Sequence, residues 1–168
     1  MNISLRPMVL GDWDFYRSLY MSPETMKFIA QPLTEAVCKK YFDYYFSERY
    51  LASKNKLFLI VATSESKEEI KAGIIQYSFK PKCKFSAEMG IMLSSGLTGH
   101  GVGKKANHLL FKKASEVDGL QLIYARIHVN NVHAHKLYRQ LNFRQLKSQQ
   151  KNSTNSDLWL ADRSVFAA

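Results

Sequence analysis

The sequence predicts an α/β (α+β) fold, in which a mixed and mostly antiparallel sheet of about six to seven strands carries helices on both faces. Stretches with the two-residue period of strands and stretches with helical spacing follow one another in the order β-α-α-α-β-β-β-α-β-α-β-β. A glycine-rich turn near the middle of the chain joins an apolar strand pattern to an amphipathic helix. With 168 residues and no internal repeat or linker, the chain is expected to form one domain over residues 1–168.

Local signals fix where each predicted element begins and ends. Asp, Ser and Thr before apolar helical repeats indicate N-caps, and proline suits the first position of a helix. The first part of the chain predicts a strand near 2–8 and a helix capped at Asp12 and reaching Tyr20. It also predicts a short helix that starts at 22–24 and a helix from Thr34 to Phe46. The middle of the chain predicts strands near 57–63 and 72–79, joined by a polar hairpin loop at 64–69, and a third strand near 86–93. A helix from Val102 to Val117 follows and ends at 118–119. The last part predicts a strand at 122–129, a short helix from Ala134 to Leu141, and a closing hairpin of 144–149 and 158–165.

The net charge of +10 is the least ordinary bulk property of the chain. It favours anionic ligands, and it also raises the hypothesis of an RNA- or ribosome-associated protein. The charge is scattered, however, with its densest runs at 80–84, 104–105 and 112–113, and no aromatic-rich RNA-recognition sequence accompanies it. We therefore interpret it as a solvated basic face and expect no nucleic-acid partner.

Composition also argues against a membrane or metalloprotein class. No apolar run approaches the ~20 residues of a membrane-spanning helix, and the N-terminal segment, which contains Asp12 and Asp14, lacks the apolar core of a signal peptide. Cys38 and Cys83 have neither metal nor redox spacing. We expect free thiols in a reducing cytoplasm, no membrane partner and no metal.

The glycine-rich turn predicts a phosphate-binding loop. Gly99, Gly101 and Gly103 stand at alternate positions between a strand and a helix, where free backbone N–H groups and the positive end of the helix dipole favour an anion. The spacing departs from the dinucleotide fingerprint, and Lys105 stands where a P-loop needs a hydroxyl residue. The pyrophosphate of coenzyme A remains as the candidate ligand, beside the simpler interpretation that the turn only starts a helix.

Two motifs together resemble the GCN5-related N-acetyltransferase (GNAT) superfamily. The family motif Q/R-x-x-G-x-G/A is matched by the run from Thr98 to Gly103, with Thr98 departing from its first position. The family signature N-x-x-[SA]-x-x-L-Y-x-x-x-G-F is matched between Asn131 and Phe143, with Asn142 in place of glycine. Asparagine is the next-best residue for a left-handed helix cap. The chain looks closest to the ribosomal-protein-alanine-acetyltransferase-like branch.

The resemblance implies an N-acetyltransferase that uses acetyl-CoA as co-substrate. It places the pantetheine arm against backbone groups of the strand before the loop and against an asparagine, and the pyrophosphate against the loop N–H groups. The cofactor-binding residues that it implies are Met92, Leu93, His100, Gly101, Val102, Gly103, Lys104 and Asn131. It also implies that Tyr138 is the general acid for the leaving thiolate. The alternatives from the residues alone are a helix N-cap for Asn131 and a core tyrosine for Tyr138.

Glu88 is the first candidate for the base that takes the amine proton. Strand alternation places it on the same face as Gly90 and Met92, along the expected cofactor strand. A surface salt bridge is the competing interpretation. His128, at the end of the next strand, is the second candidate because its side chain titrates near neutral pH.

The acceptor is the least determined part of the prediction. In the family it meets the residues between the first two helices and the hairpin of the last two strands, which here are 28–32 and 151–155. The first segment is mostly apolar and has no acidic cluster for a polyamine, so a protein N-terminus, an amino-sugar and a small amine stay open. A homodimer is a candidate assembly. The alternative function is a non-catalytic acyl-CoA-binding or regulatory module, which the unusual Thr98 motivates.

Overall fold

The computed structural model describes residues 1–79, 85–117, 119–146 and 155–165, which form a seven-stranded sheet with helices on both faces. The strands are β1 (Asn2–Pro7), β2 (Lys56–Thr63), β3 (Glu69–Phe79), β4 (Ser86–Leu93), β5 (Leu122–His128), β6 (Arg144–Leu146) and β7 (Ser156–Asp162). The helices are α1 (Trp13–Tyr20), α2 (Pro23–Met26), α3 (Glu35–Tyr44), α4 (Glu48–Leu51), α5 (Val102–Val117) and α6 (Val132–Gln140). Short 3-10 helices cover Leu10–Asp12 and Arg163–Val165. The predicted α/β class with a mostly antiparallel sheet is confirmed.

The sheet opens between its two parallel strands. The strand order is β1-β2-β3-β4-β5-β7-β6, and every neighbouring pair is antiparallel except β4 and β5. The pairing of β4 with β5 ends after Glu88↔Tyr124, although both strands continue, to Leu93 and His128. Backbone N–H and C=O groups on the facing edges past this point need partners from outside the sheet. The divergence leaves a wedge between the two strands.

Each face of the sheet has its own apolar core, because successive side chains along a strand point to opposite faces. Met89 of β4 and Ile123 of β5 pack beneath α5 and α6. Met92 of β4 belongs to the opposite core, with Tyr16 of α1 and Phe42 of α3. The wedge therefore opens toward a different apolar core on each face of the sheet.

Gly73 allows β3 and β4 to approach at the level of the wedge. A Cβ at this position would lie 2.2 Å from the carbonyl oxygen of Met92 and 3.0 Å from the Cα of Leu93. The register of β2 against β3 shifts between Ile60 and Val61, directly opposite this glycine. A residue without a side chain is therefore required where β4 turns away from β5.

Several predicted boundaries differ from the structure at the helices. The predicted third helix reaches Phe46, whereas α3 ends at Tyr44 and a separate helix, α4, follows. The backbone N–H of Tyr50 donates to Ser47 Oγ at 3.3 Å, so Ser47 caps a new helix instead of lying in a loop.

Asp12 lies at the predicted N-cap of α1, but its side chain does not cap the helix. Its carboxylate is 1% exposed and accepts hydrogen bonds from Arg6 at 2.7 and 2.8 Å and from the Val9 backbone N–H at 3.0 Å, while Lys71 Nζ lies 2.8 Å away. These two cations and the hydrogen bonds outweigh the cost of burial and hold the pKa of Asp12 well below its usual range. Asp12 thus ties β1 to β3.

The strand boundaries differ by a few residues. β3 begins at Glu69 rather than near residue 72, so the hairpin loop is shorter than predicted, and β5 ends one residue early. β7 spans Ser156–Asp162 instead of 158–165, because Asp162 Oδ1 accepts the Ser164 backbone N–H at 3.0 Å and the chain turns. Residues 147–154 of the predicted closing hairpin lie outside the described residues, as does Cys83. Cys38 is a buried free thiol, and burial raises its pKa to about 11.

Candidate functional site

A cavity of about 450 Å³ occupies the wedge between β4 and β5. Its volume lies within the range of small-molecule sites. Glu88 to Met92 of β4 form one wall, and Ala125 to His128 of β5 form the other. Side chains from both faces of the sheet complete the lining, so the cavity passes from one side of the sheet to the other.

Tyr138 closes the cavity on the α6 face, beside Asn131 and Ala134. Its side chain is 3% exposed, and desolvation raises its pKa well above the usual value for a tyrosine. Its ring meets that of Phe143 edge to face, with 4.9 Å between centroids. Tyr138 therefore carries a protonated hydroxyl on a fixed ring at neutral pH.

The residues that follow α6 explain how this ring is held. Asn142 has φ 58°, the left-handed conformation expected from its place in the sequence. The chain can then fold back, so that the Phe143 backbone N–H donates to the Tyr138 carbonyl at 3.0 Å. Asn131 begins the helix, since its Oδ1 accepts the Ala134 backbone N–H at 3.1 Å. The N-cap interpretation of Asn131 is confirmed, and the same residue lines the cavity.

The opposite face of the sheet supplies polar and charged groups. The registers Ser78↔Glu88 and Glu88↔Tyr124 place alternate residues of three adjacent strands on one face. The residues of this row that line the cavity are Gln76, Ser78, Glu88, Arg126 and His128. Tyr20, Phe28 and Ile29 cover the row from α1 and the segment after α2, so part of the predicted acceptor segment does lie at the cavity.

Glu88 forms an ion pair with Arg126 across the wedge. Arg126 Nη1 donates to both carboxylate oxygens, at 2.8 and 2.7 Å. The Glu88 side chain is 28% exposed and that of Arg126 is 50% exposed. Arg126 was not among the predicted site residues, although the two-residue alternation that indicates Glu88 also places Arg126 on the same face.

His128 lies at the end of β5 in contact with neighbours on several sides. Its Nδ1 accepts the Asn130 backbone N–H at 3.2 Å, and its Nε2 lies 3.4 Å from Asn155 Nδ2. Its ring centroid is 5.5 Å from that of Phe28. With Nδ1 as acceptor, the neutral ring carries its proton on Nε2, so His128 could take up another proton only at Nδ1, by breaking this contact.

The glycine-rich turn presents a row of backbone N–H groups beside the wedge. Gly99 and Gly101 have φ of 86° and 77°, and a Cβ at either position would meet no atom within 4 Å. Within the described residues, the backbone N–H groups from Thr98 to Lys104 have no protein acceptor, and the first backbone bond of the helix start runs from Lys105 to Gly101. These groups fit a pyrophosphate, which needs several converging donors.

Gly103 connects this turn to the wedge. A Cβ here would lie 3.2 Å from Leu137 Cδ2 of α6 and 3.6 Å from Leu93 Cδ1 of β4. The start of α5 therefore packs closely against the ends of both elements that carry the cavity.

The predicted site residues fall into two adjoining groups. Those that line the cavity are Glu88, Met92, Asn131, Tyr138 and the alternative base His128. Those at the turn and the start of α5 are His100, Gly101, Val102, Gly103 and Lys104, and Leu93 lies between the two groups. The structure thus brings the residues implied by two separate motifs next to each other, because Gly103 packs against Leu93 and Leu137. In the described part of the chain, no group of His, Cys, Asp and Glu side chains could hold a metal ion.

No helix within the described ranges combines the length and apolarity that crossing a membrane requires.

Comparison with known proteins agrees with this geometry. Residues 2–144 match the profile of the acetyltransferase (GNAT) domain family. Spermidine N-acetyltransferase from Vibrio cholerae, solved with CoA and spermine, shares 17% identity and a TM-score of 0.78, covering 99% of this chain and 98% of that one. A domain from Methanocaldococcus jannaschii DSM 2661 shares 20% identity and a TM-score of 0.78 over 96% and 98% of the two chains. Aminoglycoside acetyltransferase AAC(6')-Ib, solved with coenzyme A, shares 13% identity and a TM-score of 0.77 over 99% and 98%.

A search of the curated proteins gives no match. The family profile nevertheless covers most of the chain, and its limits include both walls of the wedge, the glycine turn and Tyr138. The chain therefore belongs to the GNAT acetyltransferase domain family.

Proposed function

We propose that the protein transfers an acetyl group from acetyl-CoA to a primary amine by direct attack in a ternary complex. The observation that carries this proposal is the wedge between β4 and β5. It has a protonated hydroxyl on one face, a row of charged and polar groups on the other, and free N–H donors at one end. Two substrates that approach from opposite faces could meet in such a gap.

The acetyl-CoA side would occupy the turn and the α6 face. The N–H groups of the residues from His100 to Lys104 would bind the pyrophosphate, and the edge of β4 at Met92 and Leu93 would bind the pantetheine amides. Asn131 would contact the same arm. Two structural neighbours were crystallised with CoA or coenzyme A, according to their descriptions, which supports this choice of co-substrate.

The proposed reaction needs two proton transfers. The amine nitrogen bonds to the thioester carbonyl carbon, and the carbon–sulfur bond then breaks. Tyr138 would give its hydroxyl proton to the departing thiolate and regain one from solvent. Its buried setting suits this role, because the hydroxyl stays protonated until a basic thiolate forms beside it.

The amine must also lose a proton before or during attack. Glu88 would accept it, directly or through a water molecule, once its contact with Arg126 is shared or released. His128 is the second candidate, and its engaged Nδ1 makes it the weaker one. Both lie on the face opposite Tyr138, so acid and base would act from opposite sides of the gap.

The proposed acceptor is a protein N-terminus, an amino-sugar or a small amine. The motif resemblance to the ribosomal-protein-alanine-acetyltransferase-like branch supports the first of these. The cysteines, which lack metal or redox spacing, support a reducing cytoplasm as the place of action.

The proposal is tested by following free thiol release from acetyl-CoA in the presence of a broad amine panel. Turnover with at least one amine, with the N-acetyl product identified by mass spectrometry, would support it. Acetyl-CoA binding without transfer to any amine would instead favour the non-catalytic acyl-CoA-binding module. Salt-sensitive RNA binding that CoA does not compete for would favour an RNA-associated role.

A further inference from the structure

The acceptor face of the cavity carries a cation that the proposed chemistry does not use. Among the lining residues that the structure describes, the charged side chains are Glu88 and Arg126. The lining thus offers one carboxylate, and a guanidinium already binds it. Such a wall is poorly suited to an acceptor with several positive charges.

Arg126 has unused hydrogen-bonding capacity at this wall. Only Nη1 contacts Glu88, and Nε and Nη2 have no acceptor among the described residues. The guanidinium carbon lies 5.8 Å from the ring centroid of Tyr124, which restricts where the group can go. The side chain is half exposed and lines the cavity. The Nε–H and Nη2–H groups form one free edge of the planar guanidinium, which is suited to a two-point contact with a carboxylate or a phosphate.

We propose that the acceptor carries an oxyanion, a carboxylate or a phosphate ester, near its reacting amine and that Arg126 binds this group. The proposal rests on the proposed function and specifies its substrate class. An oxyanion bound at Nε and Nη2 would share the guanidinium charge with Glu88, which contacts Nη1. Recognition of the acceptor would then be coupled to the proposed base through one side chain.

A simpler role for Arg126 is to neutralise Glu88 and nothing more. In that case the enzyme would show no preference for anionic acceptors, and any preference would survive when Arg126 is replaced. The two roles are therefore distinguished by whether a variant of Arg126 loses the preference for anionic acceptors, and not by its overall activity.

The test compares amines that differ only in the oxyanion. Amino acids are assayed against their amides and the corresponding decarboxylated amines, with aminoalkyl phosphates as a second arm and spermidine as a polycation. We expect wild-type kcat/KM to be about 10- to 100-fold higher for oxyanion-bearing acceptors, as fits a charge-assisted hydrogen bond. Whether the carboxylate or the phosphate arm is favoured identifies the source of the oxyanion.

Two variants and one control separate recognition from general damage. Arg126→Gln should lose the preference mainly through a higher KM for anionic acceptors, while its acetyl-CoA affinity stays unchanged. Arg126→Lys should keep part of the preference, because it keeps the charge and loses the planar fork. Arg49→Gln, at an exposed arginine in α4, is the matched control and should behave as wild type.

The outcomes distinguish this inference from the function on which it rests. Equal turnover of anionic, neutral and cationic acceptors, or a preference that survives in Arg126→Gln, overturns the inference and leaves the acetyltransferase proposal intact. Failure of every amine to be acetylated overturns both. Binding of the N-acetyl amino acids and their amides, measured by calorimetry, checks the preference without any need for turnover.

Discussion

Tyr138 is the residue on which the proposed chemistry depends most. It is buried beside Phe143, and its raised pKa keeps the proton on the hydroxyl across the neutral range. Tyr138→Phe removes the proton and retains the ring. We expect kcat to fall by about 100-fold, the usual size of a general-acid contribution, while the affinity for acetyl-CoA is unchanged. Steady-state kinetics and a binding titration measure the two effects, and normal turnover in this variant would remove Tyr138 from the mechanism.

Asp12 is a second residue whose surroundings give a definite expectation. Its pKa is lowered in the folded protein by the bonds from Arg6 and Lys71 and by that from the Val9 N–H, against the cost of burial. A group with a lowered pKa contributes stability above its unfolded value, about 4 for aspartate, and this contribution is lost as the pH falls below it. Asp12→Asn should therefore reduce the free energy of unfolding near pH 7 by about 2–3 kcal/mol and by less in acid.

Urea unfolding of the wild type and the variant at pH 7 and at about pH 3, which is below the unfolded aspartate pKa of about 4, measures this difference. Asp14→Asn is the matched control, because the side chain of Asp14 is 83% exposed and forms only a surface pair with Arg17. A loss in Asp12→Asn that is equally large at both pH values would show that the carboxylate charge is not what stabilises β1 against β3.

At the scale of single elements, the approach of β3 to β4 makes Gly73 indispensable. An alanine methyl would lie 2.2 Å from the Met92 carbonyl oxygen, so β4 would have to move. We expect Gly73→Ala to destabilise the fold by about 2 kcal/mol, as overpacking does, and to weaken acetyl-CoA binding because Met92 shifts. In Gly90→Ala on the next strand, the nearest atom to the methyl is 3.8 Å away, so its stability in urea should stay close to wild type. Equal stability of the two variants would contradict the close approach.

Elements with a strong local signal could be predicted from the sequence, but the residues at which they begin and end were predicted less accurately. The short helix that Ser22 starts and the left-handed turn at Asn142 follow from side-chain chemistry within a few residues. The division between α3 and α4 was missed because the aromatic residues from Tyr41 to Phe46 continue the apolar pattern while Ser47 starts a new helix. Asp12 was expected to cap α1, but its carboxylate instead pairs with Arg6 and with the distant Lys71. No local sequence pattern contains the contact with Lys71.

At the scale of the whole molecule, the functional site depends on where β4 and β5 separate. The sequence indicates Glu88 and Tyr138 by alternation and by motif, and both line the cavity. Their placement on opposite faces of one gap results from strand order and from the short parallel pairing, which are properties of the assembled sheet. Arg126 was not predicted for the same reason, because its ion pair with Glu88 joins two strands across the gap.

The glycine turn is the other half of this assembled site. Gly101→Asp would introduce a carboxylate among the N–H groups proposed for the pyrophosphate, at a residue with φ 77°. We expect it to abolish acetyl-CoA binding. Gly119→Asp is the matched control, because Gly119 also has positive φ, 64°, and open surroundings but lies beyond the far end of α5. If the two variants bind acetyl-CoA equally well, the turn does not hold the phosphates.

The most direct test of the central claim is a calorimetric titration of the wild-type protein with acetyl-CoA at near-physiological salt, with NADH and ATP as controls. The structure leads us to expect micromolar affinity for acetyl-CoA and no comparable binding of the two nucleotides. Absence of acetyl-CoA binding, or equal binding of all three ligands, would contradict the assignment of the wedge and the glycine turn to an acetyl-CoA-dependent transferase.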